Sequence, residues 1–322
     1  MSISYDVEAD WVLLRTCNFR CSYCAIPLAE LQGKIDVHAT PSEWLEGFNA
    51  TGKSWLLHIT GGEPSIYPDF VNLCEQLASD HYLSINTNLS HECMDDFCER
   101  VDPARVHYIN AALHCDERLK KHSLDAFIER VSRFAARGFN MLVSSVMTPA
   151  MTDAISELQT HFEARDLFII PKAMRGWYEG RLYPDSYTDD ERTLIRDHLS
   201  EARQRYTSVV ARMGQAPTIN MLTDERFLNR IRNYRGMLCA SGVKFVQIEP
   251  NGGVLRCGSG QRLGNILMKD VRLLDAPKRC DTSYCPYFCE KYTSPPFVPP
   301  QDTFVASFVN SMFALKERVL PS

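Results

Sequence analysis

Residues 11–24 read Trp-Val-Leu-Leu-Arg-Thr-Cys-Asn-Phe-Arg-Cys-Ser-Tyr-Cys, and residues 55–64 read Trp-Leu-Leu-His-Ile-Thr-Gly-Gly-Glu-Pro. In both, an apolar run of strand length stops at a loop dense in residues capable of chemistry. The same texture recurs along the chain. Strands are predicted at Trp11–Thr16, Trp55–Thr60, Tyr82–Asn86, Val106–Leu113, Met141–Met147 and Leu167–Ile170. Helices fit between them. Thr40-Pro41-Ser42-Glu43 is a capping box with Pro at the first helical position, and Asp69–Ala78 is periodic. Ser123 opens a helix that runs to Arg137 and stops at Gly138, and Thr188-Asp-Asp-Glu191 opens a long charged helix to about Met213. Strand–helix alternation repeated six times predicts an α/β fold, a parallel barrel or open sheet, with its chemistry at the carboxyl ends of the strands.

The chain has 322 residues, 45% of them hydrophobic, and a net charge of −5 from 35 basic and 40 acidic side chains. That length accommodates one large domain and a smaller module. No long basic run is present, which predicts no nucleic-acid partner. The N-terminus Met-Ser-Ile-Ser-Tyr-Asp-Val-Glu-Ala-Asp is acidic and polar, unlike a signal peptide. No stretch reaches the ~20 apolar residues of a membrane span, so no membrane association and a cytoplasmic location are expected. In a reducing compartment the 12 cysteines read as metal ligands rather than disulfides. Cys17, Cys21 and Cys24 form one group, and Cys239, Cys257, Cys280, Cys285 and Cys289 another. Cys74 reads as core, and Cys93 and Cys98 as structural.

Three thiolates on one tight loop can hold three irons of a [4Fe–4S] cube and leave the fourth iron open to a ligand. Zinc normally takes four ligands, and no His or fourth Cys lies near enough in sequence to complete such a site. Local spacing alone leaves cluster, zinc and free thiols open. In the second loop, Gly61 and Gly62 permit close backbone approach, and Glu63 can accept hydrogen bonds from an ammonium group. Taken alone, Gly-Gly-Glu-Pro reads as a turn.

Together, the Cys17–Cys24 loop with aromatic Tyr23 before its third cysteine, and Gly61-Gly62-Glu63-Pro64 after the second strand, resemble the radical S-adenosylmethionine (radical SAM) superfamily. The resemblance implies a partial (β/α)6 TIM-like barrel over residues 1–235. It implies a cluster on Cys17, Cys21 and Cys24, and S-adenosylmethionine held by Gly61, Gly62, Glu63 and Pro64, with Tyr23, Asn88 and Ser144 lining the cofactor. It further implies an electron donor such as flavodoxin or ferredoxin, and a 5′-deoxyadenosyl radical that takes a hydrogen atom from substrate. One departure stands out. Where many relatives read Ser-Leu-Asp after the fourth strand, this chain has Ala112-Leu113-His114. Strand alternation then points His114 toward the site mouth, and Cys115 cannot face inward as well. Cys115 is either a hydrogen-atom donor or a small buried hydrophobe. Lys172 and Arg175, after the sixth strand, are candidates for the methionine carboxylate or an anionic substrate group, against a reading as surface charge. His114, Cys115 and Lys172 are the catalytic candidates, and Tyr178 and Tyr183 candidate pocket walls.

In the second group, Cys239 is followed by twelve residues, Gly252, four residues and Cys257, then Cys280, Cys285 and Cys289. This resembles the auxiliary-cluster module of the SPASM and twitch subfamilies, placed at 236–292 with a β-hairpin at 246–256. Five cysteines suit one auxiliary [4Fe–4S] cluster rather than two. Cys239, Cys257, Cys280 and Cys285 are the favoured ligands, with Cys289 able to replace either of the last two, and a zinc site on the same residues remains the alternative. Residues 293–322 are expected to form a C-terminal extension ending in a helix. The first strand begins about ten residues into the chain, an expectation that leaves no room for a leader-peptide recognition domain. That favours oxidation or epimerisation of a small molecule (a sugar, aminocyclitol or nucleotide-like compound) over modification of a peptide or protein side chain. A non-enzymatic iron–sulfur electron carrier is the reading from another class.

Overall fold

The computed structural model describes residues 3–213, 228, 234–258, 260–282 and 285. Six parallel strands lie side by side in chain order: β1 (Val7–Leu14), β2 (Trp55–Gly61), β3 (Tyr82–Thr87), β4 (Val106–Ala112), β5 (Met141–Met147) and β6 (Ile169–Ala173). They are connected by α1 (Leu28–Leu31), α2 (Pro41–Asn49), α3 (Phe70–Asp80), α4 (Cys93–Arg100), α5 (Cys115–Lys120), α6 (Leu124–Arg137) and α7 (Pro149–Glu163). After β6 come a short hairpin of β7 (Gly176–Tyr178) and β8 (Arg181–Tyr183), then α8 (Asp189–Arg205) and α9 (Thr207–Met213). This is the partial (β/α)6 barrel that the resemblance implied, and it settles the choice between barrel and open sheet that the strand–helix repeat left. Both capping boxes are present, with the Thr40 and Thr188 hydroxyls accepting from the backbone of Glu43 and Glu191, and Gly138 ends α6 at φ 104°.

Two strands are offset from their predicted positions. β1 begins at Val7 because Glu8 and Asp10, which interrupt the apolar run, point to one face while Val7, Ala9, Trp11 and Leu13 fill the other. β6 lies later than predicted and includes Pro171 and Lys172. It forms the edge of the sheet, where a residue without an N–H is tolerated. The helix predicted to reach Met213 is interrupted at Tyr206.

The two faces of the sheet differ in kind. On the convex face Ala9, Trp11, Leu57, Ile59, Leu83, Ile85, Ile109 and Val143 are fully buried against helix residues such as Trp44, Phe48, Phe97 and Phe134. Each large side chain sealed in this way contributes about 1.5–3 kcal/mol. On the concave face Asn86 is exposed and Asp10, Val12, Thr60 and Ala112 are only partly buried, although all five lie on inner strands. The barrel interior is therefore open. One end of it is closed where Tyr108, Leu142, Phe168 and Ile170 pack on Leu199, Ala202, Tyr206 and Met213. These strand residues lie toward the amino ends of β4–β6, so the interior opens toward the carboxyl ends.

The second cysteine segment joins the same sheet. Its strands are β9 (Leu238–Cys239), β10 (Phe245–Ile248), β11 (Gly253–Leu255), β12 (Arg262–Asn265) and β13 (Lys278–Arg279). β10 lies parallel to β1, pairing Glu8 with Phe245 and Trp11 with Ile248, and β11 and β12 extend the sheet antiparallel. The predicted hairpin turns at Gly252 (φ 82°), where a Cβ would press on Asn265, Leu267 and Trp44. β9 and β13 form a separate antiparallel pair. Cys289 and the C-terminal extension lie outside the described residues. Among those described, no helix is long and apolar enough to cross a membrane.

Candidate active site

The loop carrying Cys17, Cys21 and Cys24 leaves β1 at Leu14. The Cys17 N–H donates to the Leu31 carbonyl (3.1 Å) and the Thr16 hydroxyl to Gly33 (3.2 Å), so the short α1 segment clasps it from outside. Within the loop the Phe19 N–H points at the Cys17 sulfur (3.3 Å), and the Cys24 N–H donates to the Cys21 carbonyl (3.1 Å). All three thiols are partly buried. Burial pushes Cys17 up to about 11 and Cys21 up to about 12, and the neighbouring sulfurs add to both. Cys17 and Cys21 are thus thiols in the bare loop, and a cation is needed to hold them as thiolates.

The Gly61-Gly62 pair faces this loop. The N–H groups of Gly62 and Glu63 donate to the carbonyls of Leu14 (2.9 Å) and Thr16 (3.0 Å). A Cβ on Gly61 or Gly62 would fall inside the van der Waals radius of those carbonyl oxygens, and Gly61 also holds φ 134°. The glycines are therefore needed for close approach to the cysteine loop itself. The Glu63 carboxylate, 1% exposed, accepts from the Ser65 N–H (3.0 Å), the Ser65 hydroxyl (2.6 Å), the Thr87 hydroxyl (2.6 Å) and the Asn88 N–H (2.6 Å). Three of these bonds fall on Oε1 and one on Oε2. Glu63 thus fastens the end of β3 to the end of β2. Pro64 is buried and opens the short 3₁₀ turn behind it. Asn88 closes the circuit, its amide donating to the Asn18 side chain in the cysteine loop (2.9 Å).

The exit from β4 supplies two residues that sequence reasoning missed. Glu117 accepts from the Arg20 N–H (3.2 Å). The Arg118 guanidinium donates to the carbonyls of Leu113 and Asn88 and lies 4.3 Å from the Phe127 ring centroid and 5.2 Å from that of Phe19. Burial brings Arg118 down to about 10. Their only sequence signal is a pair of opposite charges just after a strand. His114 takes a left-handed conformation (φ 47°) and points into the site as expected. Its Nδ1 is 2.8 Å from the Tyr23 hydroxyl and 3.4 Å from the Cys21 sulfur, and burial holds it down at about 4, hence neutral at pH 7. Loops from β1, β2, β3 and β4 thus meet at one place beyond the carboxyl ends of the strands.

Residues 11–161 match the family model of the Radical SAM superfamily. The chain carries a radical SAM domain. A 151-residue stretch is 30% identical to the 7-carboxy-7-deazaguanine synthase of Methanothermobacter thermautotrophicus, covering 41% of this chain and 58% of that protein. The structure of Streptococcus suis SuiB bound to S-adenosylmethionine superimposes with a TM-score of 0.53 at 17% identity, over 83% of this chain and 64% of SuiB. SuiB has also been seen with its precursor peptide SuiA, with the same TM-score of 0.53. The structure of anSMEcpe with bound AdoMet gives a TM-score of 0.51 at 16% identity, over 81% of this chain and 78% of that one. The chain thus spans under two thirds of the length of the synthase and of SuiB. The structural likenesses establish the fold.

Radical SAM enzymes use a [4Fe–4S] cluster and S-adenosylmethionine. The donor set of this radical SAM domain suits the cube. Its three cysteines are soft sulfur donors on one loop, whereas a structural zinc site takes four protein ligands. A cube takes each thiolate on a different iron, so its sulfurs stay apart. Further round the radical SAM domain, the Asn86 amide donates to Thr60 (3.2 Å), Asn110 to Asn86 (2.6 Å) and Ser144 to Asn110 (2.8 Å). Ser144 is therefore one rung of a polar ladder across β2–β5. Lys172 pairs in register with Val146 and is 8% exposed, which excludes the surface-charge reading. Arg175 is partly buried between β6 and β7. Cys115 opens α5 and packs against the hydrophobic core, unlike its neighbour His114, and burial pushes its thiol up. The Tyr178 hydroxyl accepts from Ser22 in the cysteine loop (3.5 Å). Tyr183, by contrast, is buried edge-to-face on Tyr187 and is part of the core rather than a pocket wall. Cys74 and Cys98 are buried, and Cys93 donates to the Ser65 carbonyl (3.1 Å).

In the C-terminal segment, Cys280 has Cys239, Cys285 and Cys257 as electrostatic neighbours. Burial first, then these three sulfurs, push its thiol up. Arg256, itself buried, donates to the carbonyls of Ser241 (3.1 Å) and Lys278 (3.0 Å) and so ties the segments bearing these cysteines to one another.

Proposed function

We propose that this chain is a radical SAM oxidoreductase or isomerase-type enzyme acting on a small polar molecule, which it oxidises or epimerises. In this reading Cys17, Cys21 and Cys24 hold the S-adenosylmethionine-binding cluster. Cys239, Cys257, Cys280 and Cys285 hold one auxiliary [4Fe–4S] cluster. When bound, cluster and cofactor supply a 5′-deoxyadenosyl radical that removes a hydrogen atom from the substrate. The protein's own residues position it: Glu63, Asn88, Glu117 and Arg118 fix the loops, and His114 and Tyr23 stand beside the cysteines. An electron donor of the flavodoxin or ferredoxin type completes the system. The observation that carries the small-molecule reading is the concave face of the sheet, open beneath this site and lined by Thr60, Asn86, Asn110 and Ser144. The name of the deazaguanine synthase relative agrees, since its product is a small molecule.

A peptide substrate is the second reading. It is favoured by Trp177, 49% exposed on the β7–β8 hairpin that reaches the cysteine loop through Tyr178, and by the peptide-bound SuiB structure. Anaerobic reconstitution with iron and sulfide analysis and a 5′-deoxyadenosine assay under dithionite tests the core of the proposal. About eight irons per chain, the content of two cubes, together with 5′-deoxyadenosine release are expected. About four irons with tightly bound zinc removes the auxiliary cluster, and failure to bind S-adenosylmethionine returns the chain to an electron-carrier role.

A further inference from the structure

Deeper in the barrel lies a second polar group that nothing above uses. Strand alternation and register put Asp10 on the concave face opposite His58 of β2 and Gln247 of β10, with His58 opposite Ser84 and Ser84 opposite Tyr108. Its members are not equivalent. Glu8, fully buried, accepts from the Tyr5 hydroxyl (2.6 Å) and lies 3.3 Å from Nε2 of His58, whose Nδ1 meets the Ser84 hydroxyl. Asp10 is different. It remains partly exposed on a strand in the middle of a nine-stranded sheet, and among the described residues no hydrogen-bond donor reaches its carboxylate.

A carboxylate held away from bulk water without donors is unfavourable unless a ligand completes it. The electrostatics agree with this: burial lifts Asp10 to about 6, and the adjacent His58 opposes the rise only partly. Asp10 therefore remains ionised at pH 7.5, with His58 as an electrostatic partner among the described residues. Depth fits as well. Asp10 precedes the last residue of β1, Leu14, by four positions, so at about 3.3 Å per residue it lies roughly 13 Å below the cysteine loop. Between the two levels runs the Thr60–Asn86–Asn110–Ser144 ladder, whose amide and hydroxyl groups suit neutral oxygens. Among the described residues no three ligand side chains converge on a metal ion at this level.

We propose that Asp10 is the anchor for a protonated amine of the substrate, which stands upright in the barrel with its hydroxyl or carbonyl oxygens on the Thr60–Asn86–Asn110–Ser144 ladder. This rests on the small-molecule reading above and narrows it to amine-bearing polar compounds such as amino sugars and aminocyclitols.

The test is a thermal-shift and calorimetric screen of the reconstituted protein with S-adenosylmethionine. The panel pairs amino sugars and aminocyclitols with their N-acetyl or hydroxyl counterparts, against wild type and Asp10→Asn. At least one amine is expected to stabilise the wild type while its counterpart does not, and Asp10→Asn should weaken that binding roughly 10- to 100-fold. Ligand-free Asp10→Asn should be at least as stable as wild type, since a carboxylate without hydrogen-bond donors is removed. Three results overturn the proposal: no amine in the panel stabilises the wild type, the amines bind Asp10→Asn equally well, or the variant is destabilised without ligand, which would make Asp10 a structural residue. Iron content and S-adenosylmethionine binding of the wild type are measured in parallel. Their failure would sink the cofactor reading, whereas their success with amine binding indifferent to Asp10 would sink only this inference.

Discussion

Replacing Glu63 with Gln separates two roles that the Gly-Gly-Glu-Pro loop can play. In the structure the carboxylate takes three hydrogen bonds on one oxygen, from the Ser65 backbone, Ser65 hydroxyl and Thr87 hydroxyl, and one on the other, from the Asn88 N–H. A glutamine keeps the threefold acceptor by turning its amide nitrogen toward Asn88. That sets donor against donor and loses one charge-assisted hydrogen bond, worth about 1.5–3 kcal/mol, in a buried setting. The three surviving bonds also weaken as the charge disappears, so a destabilisation of about 3 kcal/mol is expected. At roughly 2 °C per kcal/mol for a chain of this size, the melting temperature should fall by about 6 °C. The assay is urea and thermal unfolding of the metal-free protein without S-adenosylmethionine, in which no ligand ammonium exists. Unchanged stability of Glu63→Gln, combined with weakened S-adenosylmethionine binding by the reconstituted protein, would refute the internal-staple assignment and restore Glu63 as a direct ligand contact.

Gly62→Ala should prevent the second loop from seating on Thr16. It costs at least the 1–3 kcal/mol typical of overpacking and lowers iron retention after reconstitution, which iron analysis reads directly. Cys280→Ser should reduce iron from about eight to about four per chain if the four C-terminal cysteines hold one cube, and an unchanged iron content would exclude Cys280 as a ligand. His81 provides a pH test. It is buried with neither ring nitrogen hydrogen-bonded among the described residues, and burial holds it down at about 4 against an unfolded value of 6.5. The unfolded chain therefore binds the proton first. The stability associated with this group is intact above pH 6.5 and falls by about 3 kcal/mol as the pH drops toward 4. His81→Phe should flatten that part of the urea-unfolding profile, and an unaltered slope would show that other groups control it.

Most of the fold was legible because the convex face of each strand is a run of Leu, Ile, Val and Trp that only a buried sheet explains. β1 was placed too late because Glu8 and Asp10 look like the end of a loop until the open interior that receives them is known. α7 has its own signal, Thr148 before Pro149 with the threonine hydroxyl accepting from Met151, in a stretch where no helix boundary was assigned. The cysteine and glycine motifs located the site, but spacing could not show what each side chain touches. Glu63 carries the pattern of a ligand contact, and its partners at Ser65, Thr87 and Asn88 come from two strand ends that meet only in three dimensions. Glu117 and Arg118 were passed over because charged residues after a strand are usually solvated, and only the fold reveals that both are buried against the cysteine loop.

The pairing of β10 with β1 has a consequence for how the chain is assembled. β1 is an inner strand of the finished sheet, but the partner on one side of it begins at Phe245, more than two hundred residues downstream. During synthesis the strand that presents Cys17, Cys21 and Cys24 emerges first and keeps one row of N–H and C=O groups unpaired until the last third of the chain has been made. An unpaired row of that kind is a template for wrong partners. Insertion of iron before synthesis is complete would take place on a half-bordered strand, so truncations that remove 245–248 should aggregate even though every residue of the first cysteine loop is intact.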